Sequence, residues 1–580
     1  MQRRRMIGMT GAAALLAAGL GATAPANATT GQAGGSGASG TARSYVVLAK
    51  EGVSAEAVAR KLTGAGATVT SVNSDVGMVT VSSTSSAFLA KARAIKDVEG
   101  AAVDGVVGRA PKQPKVDTAP TGRAAGRPAA KGNHGGGGAV QRDPLDSYLW
   151  GMDMIKAPQA HRYETGDRRV RVGVIDTGIQ GDHPDLAAGF DRRLSRNFTT
   201  DMPDIDGPCE VASCVDPADV DDDGHGTHVA GTIAASLDGF GLSGVAPDVS
   251  LVNVRAGQDS GYFFLSPVVN ALTYADDVGI DVVNMSFYVD PWLYNCMGGA
   301  PEDSPEAAFE QDLIIKGMNR ALNFAHRKGV TLVAAAGNNH EDMANPRPDT
   351  SSPDYGPVAP YERTIDNETC FDLPVEGRHV LGVTSVGPSR TKADYSNYTT
   401  EPRSGEIEVA APGGWFRDGF GTPSFRTNEN LILSTAPLGV LQGTGEVDEN
   451  GNITPDGEAN GVMKQCTDDP PAGAQECGYY QYLQGTSMAS PHATGVAALA
   501  VSSYGHRTRG GGFGLAPNAV RALVMRTATD NPCPPGGVRS YEQEGRSPEF
   551  TATCVGTTRF NGFYGDGIVN ALGVVKRWGR

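Results

Sequence analysis

The stretch Val170-Arg171-Val172-Gly173-Val174-Ile175-Asp176-Thr177-Gly178-Ile179 decides the fold. Its first six residues are an almost continuous apolar run, the kind of strand that is covered on both faces in a parallel sheet. A carboxylate follows directly at the strand's end. Residues 249–254 and 280–285 repeat the apolar character. Residues 313–328 have helical spacing, with Arg327 and Lys328 beside the negative end of the helix dipole and Gly329 able to take the left-handed position that stops a helix. Residues 330–336 then read as another strand. This alternation predicts an α/β fold: a doubly wound, mostly parallel sheet flanked by helices, with functional groups at the carboxyl ends of strands.

Three further segments carry chemistry. His225-Gly226-Thr227-His228-Val229-Ala230-Gly231-Thr232 reads as a helix start with small residues. Its two histidines, three apart with no cysteine or glutamate partner nearby, do not form a zinc pattern. Gly485-Thr486-Ser487-Met488-Ala489-Ser490-Pro491-His492 places a serine at the start of a helix, where free N–H groups favour developing negative charge. Ala334-Ala335-Ala336-Gly337-Asn338 ends a strand. Taken singly, each has an ordinary structural explanation: a turn-capping Asp, a packed His, an Asn in a loop.

Taken together, in the order Asp, His, Ser, the segments resemble the signatures of the subtilisin-like serine proteases (subtilases), and the resemblance runs from residue 143 to the C-terminus. It implies that Ser487 is the nucleophile, that His225 takes and returns the proton, and that Asp176 orients and stabilises that histidine. Asn338 would donate to the oxyanion, and His228 would be structural. A serine hydroxyl needs such an adjacent base to attack. The resemblance further implies substrate contacts at Ser286, Phe287, Tyr288 and Gly257. Asn284-Met285-Ser286 matches the strand end that the family pairs with an extended substrate, and residues 257–261 would supply the opposite edge. Phe287-Tyr288-Val289 departs from the family's Leu-Gly-Gly, so cleavage preference does not transfer. No cofactor is expected for catalysis, but the resemblance implies structural calcium at Asp143, Asp185 and Asp238, which match ligand positions of the family's calcium site; separate loops offering only oxygen suit a hard cation. Asp219, Asp221, Asp223 and Gly224 imitate the start of a calcium-binding helix–loop–helix, but the twelfth position is Ala230. That run reads as a solvated loop or a secondary ion site.

Outward from this core, the chain of 580 residues is too long for one hydrophobic core. Arg3, Arg4 and Arg5, the apolar residues 6–22 and Ala26-Asn27-Ala28 form a signal peptide over residues 1–28, which predicts export to the extracellular space without a stable membrane anchor. Residues 29–44 read as a flexible segment. Residues 45–108 alternate strands and helices as a small α+β module that resembles the family's inhibitory propeptide. Residues 109–142 form a basic Pro/Gly-rich linker suited to processing, and 143–580 form the peptidase domain. Within it, residues 414–479 read as surface loops. The 8 cysteines of an exported chain point to disulfides, and sequence-adjacent pairing predicts 209–214, 296–370, 466–477 and 533–554. The net charge of −16 excludes nucleic acid as a main partner. The expected function is a secreted, self-processed serine endopeptidase acting on proteins or peptides as a monomer, with its own propeptide as intramolecular inhibitor. The competing expectations are a restricted processing protease and a non-catalytic binding protein on the same fold.

Overall fold

The two largest sheets of the chain are separate from one another. The computed structural model describes residues 42–104, 141–355, 358–467, 476–507 and 512–576; the expected signal peptide and nearly all of the expected linker lie outside them. The first sheet belongs to the small module: Arg43–Ala49 (β1), Ala55–Gly64 (α1), Thr68–Asn73 (β2), Met78–Ser83 (β3), Phe88–Arg93 (α2) and Val98–Val103 (β4). Its strands run antiparallel in the order β2-β3-β1-β4. Because side chains alternate along β1, Tyr45 and Val47 meet Val58, Leu62 and Phe88 of the two helices. Val46 and Leu48 point the other way, into a core shared with Leu313 and Ile314 of the main body. The module begins at Arg43, two residues before the expected boundary, and includes β2. That strand has no fully buried residue, so its periodicity is weak.

The second sheet has seven strands: Arg171–Ile175 (β5), Arg196–Asn197 (β6), Ser250–Arg255 (β7), Val282–Met285 (β8), Thr331–Ala335 (β9), Val380–Val386 (β10) and Val409–Pro412 (β11). They lie in the order β11-β10-β9-β8-β5-β7-β6, and every pairing is parallel. Helices His225–Ala234 (α3), Leu265–Asp277 (α4), Pro305–Lys328 (α5) and Thr486–Tyr504 (α6) pack against it. The chain leaves β5 to build β7 on one side and β8 on the other, so the winding reverses at β5. In open α/β sheets that reversal creates the crevice in which ligands bind. Asp176 is the residue directly after β5.

Helix α5 starts at Pro305, earlier than its apolar spacing indicated, because Ser304 Oγ accepts from the Ala307 N–H (3.2 Å) and caps it. Gly329 ends it at φ 106°, as expected. The reading of 414–479 as surface loops is corrected. Trp415 is buried, and Ile432–Ala436 (β12), Met463–Cys466 (β13) and Cys477–Leu483 (β14) form an antiparallel sheet. Ser434 and Thr435 hydroxyls donate to the carbonyls of His228 and Thr227 (both 2.7 Å), fixing β12 to α3. The polar composition of the stretch hid a short apolar strand. All four disulfides join the sequence-adjacent pairs.

Candidate active site

Asp176 is wholly buried, and its Oδ1 lies 2.7 Å from His225 Nδ1 and accepts from the Thr177 N–H (2.9 Å). His225 opens α3 and is partly exposed, with a side-chain exposure of 26%. Burial works against a charged imidazole here. The Asp176 carboxylate, its hydrogen bond, and Asp223 and Asp221 outweigh that and raise the His225 pKa to about 9. Such close approach requires small residues, since a Cβ on Gly226 would collide with the Gly178 carbonyl.

Asp221 holds the two segments together. It is buried and accepts from Thr177 Oγ1 (3.0 Å), Gly224 N–H (2.9 Å), Thr227 N–H (2.8 Å) and Thr227 Oγ1 (2.5 Å). The expectation of a solvated loop or secondary ion site is therefore corrected at Asp221, whose oxygens are already satisfied by protein donors. The acidic run preceding a His–Gly pair was visible in the sequence, but not its inward direction. His228 is buried and its Nε2 lies 3.1 Å from the Ile432 carbonyl and 3.2 Å from that of Gln481, a structural position as expected.

Ser487 stands in the first turn of α6. Its hydroxyl donates to the Ser286 carbonyl (3.2 Å), and Ser286 Oγ donates back to the Ser487 carbonyl (3.1 Å). In this conformation the hydroxyl is turned to the β8 edge rather than to His225. Asn284 locks that edge to α6: it accepts from Ser490 Oγ (2.7 Å) and Thr494 Oγ1 (3.0 Å). Asn338 is exposed just beyond β9. The Thr486 N–H and hydroxyl both donate to its Oδ1 (2.9 Å each), which leaves Nδ2 as the outward donor. Thr486 is a positioning residue that sequence reading passed over. A Cβ placed on Gly485 would lie 3.5 Å from Asn338 Nδ2 and 3.6 Å from the Ser487 nitrogen. The two N–H groups therefore border one open space.

The expected substrate edges are less open. Phe287 stacks on Phe263, with ring centres 4.1 Å apart and planes 5° apart, and the Tyr288 hydroxyl donates to Asp354 (2.5 Å). Both rings are tied to the wall of the cleft. The Gly257 N–H is spent on the Asp176 carbonyl (3.0 Å), and Phe263 crowds its Cα, so Gly257 turns inward. Gly261, at the far end of the same loop, stands beside Asp223 instead.

The three predicted metal ligands lie near enough to repel one another but do not gather tightly: among the described residues, carboxylate oxygens come within 4.8 Å of one another as a group of three or more only at Asp201, Glu210, Asp216 and Asp259. Asp143 and Asp185 are buried, Asp238 is exposed, and burial together with mutual repulsion raises Asp143 to about 7 and Asp185 to about 8. Asp143 Oδ2, Asp185 Oδ1 and the Tyr480 hydroxyl have no hydrogen-bond partner among the described residues. Orphaned buried oxygens with no nitrogen or sulfur among them fit a hard divalent cation. A separate carboxylate group, Asp201, Glu210, Asp216 and Asp259, has oxygens within 4.8 Å of one another, and the buried Arg255 pairs with Asp216 and Asp259.

Residues 167–565 match the model of the Subtilase family. Thermitase from Thermoactinomyces vulgaris is 26% identical over 414 residues, 70% of this chain and 98% of its own length. Subtilisin DY from Bacillus licheniformis is 26% identical over 381 residues, 66% of this chain and 91% of its own. Among solved structures, the epidermin leader peptide processing serine protease from Staphylococcus aureus superposes with a TM-score of 0.59 at 19% identity, covering 92% of this chain and 98% of that one.

Proposed function

The chain belongs to the subtilase family as a subtilisin-like serine endopeptidase, and from that premise we propose that Asp176, His225 and Ser487 are its catalytic triad and that it is exported and matures by self-processing. The observation that carries the reading is the buried Asp176–His225 pair at the reversal of the sheet, facing the helix that begins with Ser487. Ser487 rotates from the Ser286 carbonyl toward His225 Nε2, loses its proton to it and attacks the substrate carbonyl carbon. The oxyanion that forms takes hydrogen bonds from the Ser487 N–H and Asn338 Nδ2. His225 then protonates the leaving amine, and water releases the acyl-enzyme by the same steps in reverse. Fluorophosphonate labelling of the mature protein tests this directly: it is expected at Ser487 and is expected to vanish in Ser487→Ala. Wild-type protein that takes no label would end the endopeptidase reading.

Residues 1–28 act as the export signal, residues 29–42 as a flexible segment, the module from Arg43 to residue 108 as the inhibitory propeptide, 109–142 as the processed linker and 143–580 as the peptidase. Arg320 of α5 supports the module's role, since it donates to the carbonyls of Ala49 (2.8 Å) and Val76 (3.1 Å) and pairs with Glu99. Asp143, Asp185 and Asp238 would hold a structural calcium whose charge offsets their repulsion, detectable as a fall in thermal midpoint on chelation. The mature enzyme acts as a monomer on extended peptides, without a catalytic cofactor, nucleic acid or membrane anchor; no helix among the described residues is long and apolar enough to cross a bilayer. The aromatic wall formed by Phe263, Phe287 and Tyr288 favours, as a second reading, restricted processing over broad digestion.

A further inference from the structure

The wall of the cleft carries a buried acid that this reaction does not use. Asp372 follows the short strand Cys370–Phe371, which pairs with Asn295–Cys296 and is joined to it by the 296–370 disulfide. The next residue, Leu373, accepts from the Val289 N–H (2.9 Å), which sets Asp372 beside the segment that continues from Ser286. On its other side, Asp372 Oδ2 lies 3.3 Å from the Cβ position of Gly337, the residue before Asn338. The carboxylate thus sits between the two strand ends that border the reacting centre. Only 4% of the residue is exposed, and among the described residues no group donates to either carboxylate oxygen. Its own N–H goes to Glu376. The ionisable neighbours are Glu376 and Tyr294, two acids that burial drives toward their neutral forms, so neither supplies a positive charge. A buried carboxylate with no donor is costly unless something completes it.

We propose that Asp372 is a specificity-determining residue that receives the guanidinium or ammonium group of the substrate residue donating the scissile carbonyl, so that the enzyme cleaves after Arg or Lys. The inference rests on the endopeptidase reading and names its substrate class. When that carbonyl lies between Asn338 and Ser487 and the substrate pairs with residues 286–288, the side chain of the same residue enters between the two strand ends. A long cationic side chain supplies there the donors that Asp372 lacks, and Arg does so in a bidentate fork. An apolar side chain leaves the acid unpaired, which gives discrimination against it as well as attraction for the cation. The linker expected to be processed offers matching bonds after Arg109, Arg123 and Arg142, the last directly before Asp143.

Fluorogenic peptides differing only in the residue before the scissile bond (Arg, Lys, Leu or Phe) test the assignment. Wild-type kcat/KM should favour Arg and Lys by about 10²-fold or more. Asp372→Asn should lose that factor for Arg and Lys and raise the rate on the Leu peptide, because the unpaired charge that disfavours an apolar side chain is gone, while fluorophosphonate labelling persists; Asp372→Glu should restore much of the basic preference. A small arylamidine should inhibit the wild type competitively, a readout that needs no variant to fold. Equal cleavage after Leu and Arg, an unchanged ratio in folded Asp372→Asn, or no arylamidine inhibition at millimolar concentration would each overturn the proposal while leaving the labelled serine, and hence the protease, in place. Absent wild-type labelling would remove both.

Discussion

Two buried carboxylates bound the cleft, and they are held in opposite ways. Asp176, at the end of β5, has a histidine at 2.7 Å and a backbone N–H at 2.9 Å on one oxygen. Asp372, on the opposite wall, has no donor among the described residues, and burial pushes its carboxyl up to about 8. The first is committed to an internal partner, so its charge acts on His225 whether or not substrate is present. The second is held open, and its charge matters when a ligand arrives. On the proposed reading, one chemical group serves orientation in one region and recognition in the other, and the difference lies in the donors that surround each carboxylate.

Substituting each acid by its neutral isostere should separate the two roles. The largest effect belongs to Asp176→Asn, which keeps the shape but removes the charge and the correct tautomer: kcat should fall by about 10⁴-fold whatever residue precedes the scissile bond. A loss confined to basic substrates would break the contrast. Next comes the pH profile. Because the His225 pKa is raised to about 9, kcat/KM should climb about tenfold per pH unit below that value and level off above it. A plateau already reached at 6.5 would show that Asp176, Asp223 and Asp221 do not hold the proton as described. The same shift has a stability consequence: the pair's contribution is fully present below about 6.5, the ordinary His value, and is lost as pH rises through about 9.

The smallest effect is in stability and has the opposite sign for the other acid. A carboxyl whose folded pKa is raised binds more protons when folded, so Asp372 weakens the fold progressively from about pH 4 to about 8. Asp372→Asn should therefore raise the thermal midpoint of the substrate-free enzyme at pH 8–9 and leave it nearly unchanged at pH 4. An unchanged midpoint at both values would mean the site is more solvated than its burial indicates.

The two acids were not equally legible in the sequence. Asp176 follows an apolar strand within a recognisable tetrapeptide, and its partners His225 and Ser487 sit in motifs of their own, so local patterns sufficed. The parallel sheet was legible for the same reason, since its strands are continuous apolar runs. Asp372 has no motif. Its place depends on the pairing of Cys370–Phe371 with residues 295 and 296, and on Leu373 meeting Val289, contacts between segments more than seventy residues apart. At Gly257 the backbone direction could not be read from a glycine: its N–H turns to the Asp176 carbonyl. The strand Ile432–Ala436 was hidden by the polar loops around it, although its residues are all buried.

The disulfide between Cys296 and Cys370 has a topological consequence. With its ends 74 positions apart in sequence, it closes a covalent ring that contains α5, on which the module rests, and β9 with Asn338. In a chain-entropy picture, closing a ring of that size removes about 4 kcal/mol of freedom from the unfolded chain. Asp372 stands two residues beyond the knot, where the ring's ends are drawn together. Thiol oxidation therefore fastens the wall of the recess in the same event that confines Asn338, and a reducing environment leaves both to noncovalent contacts alone.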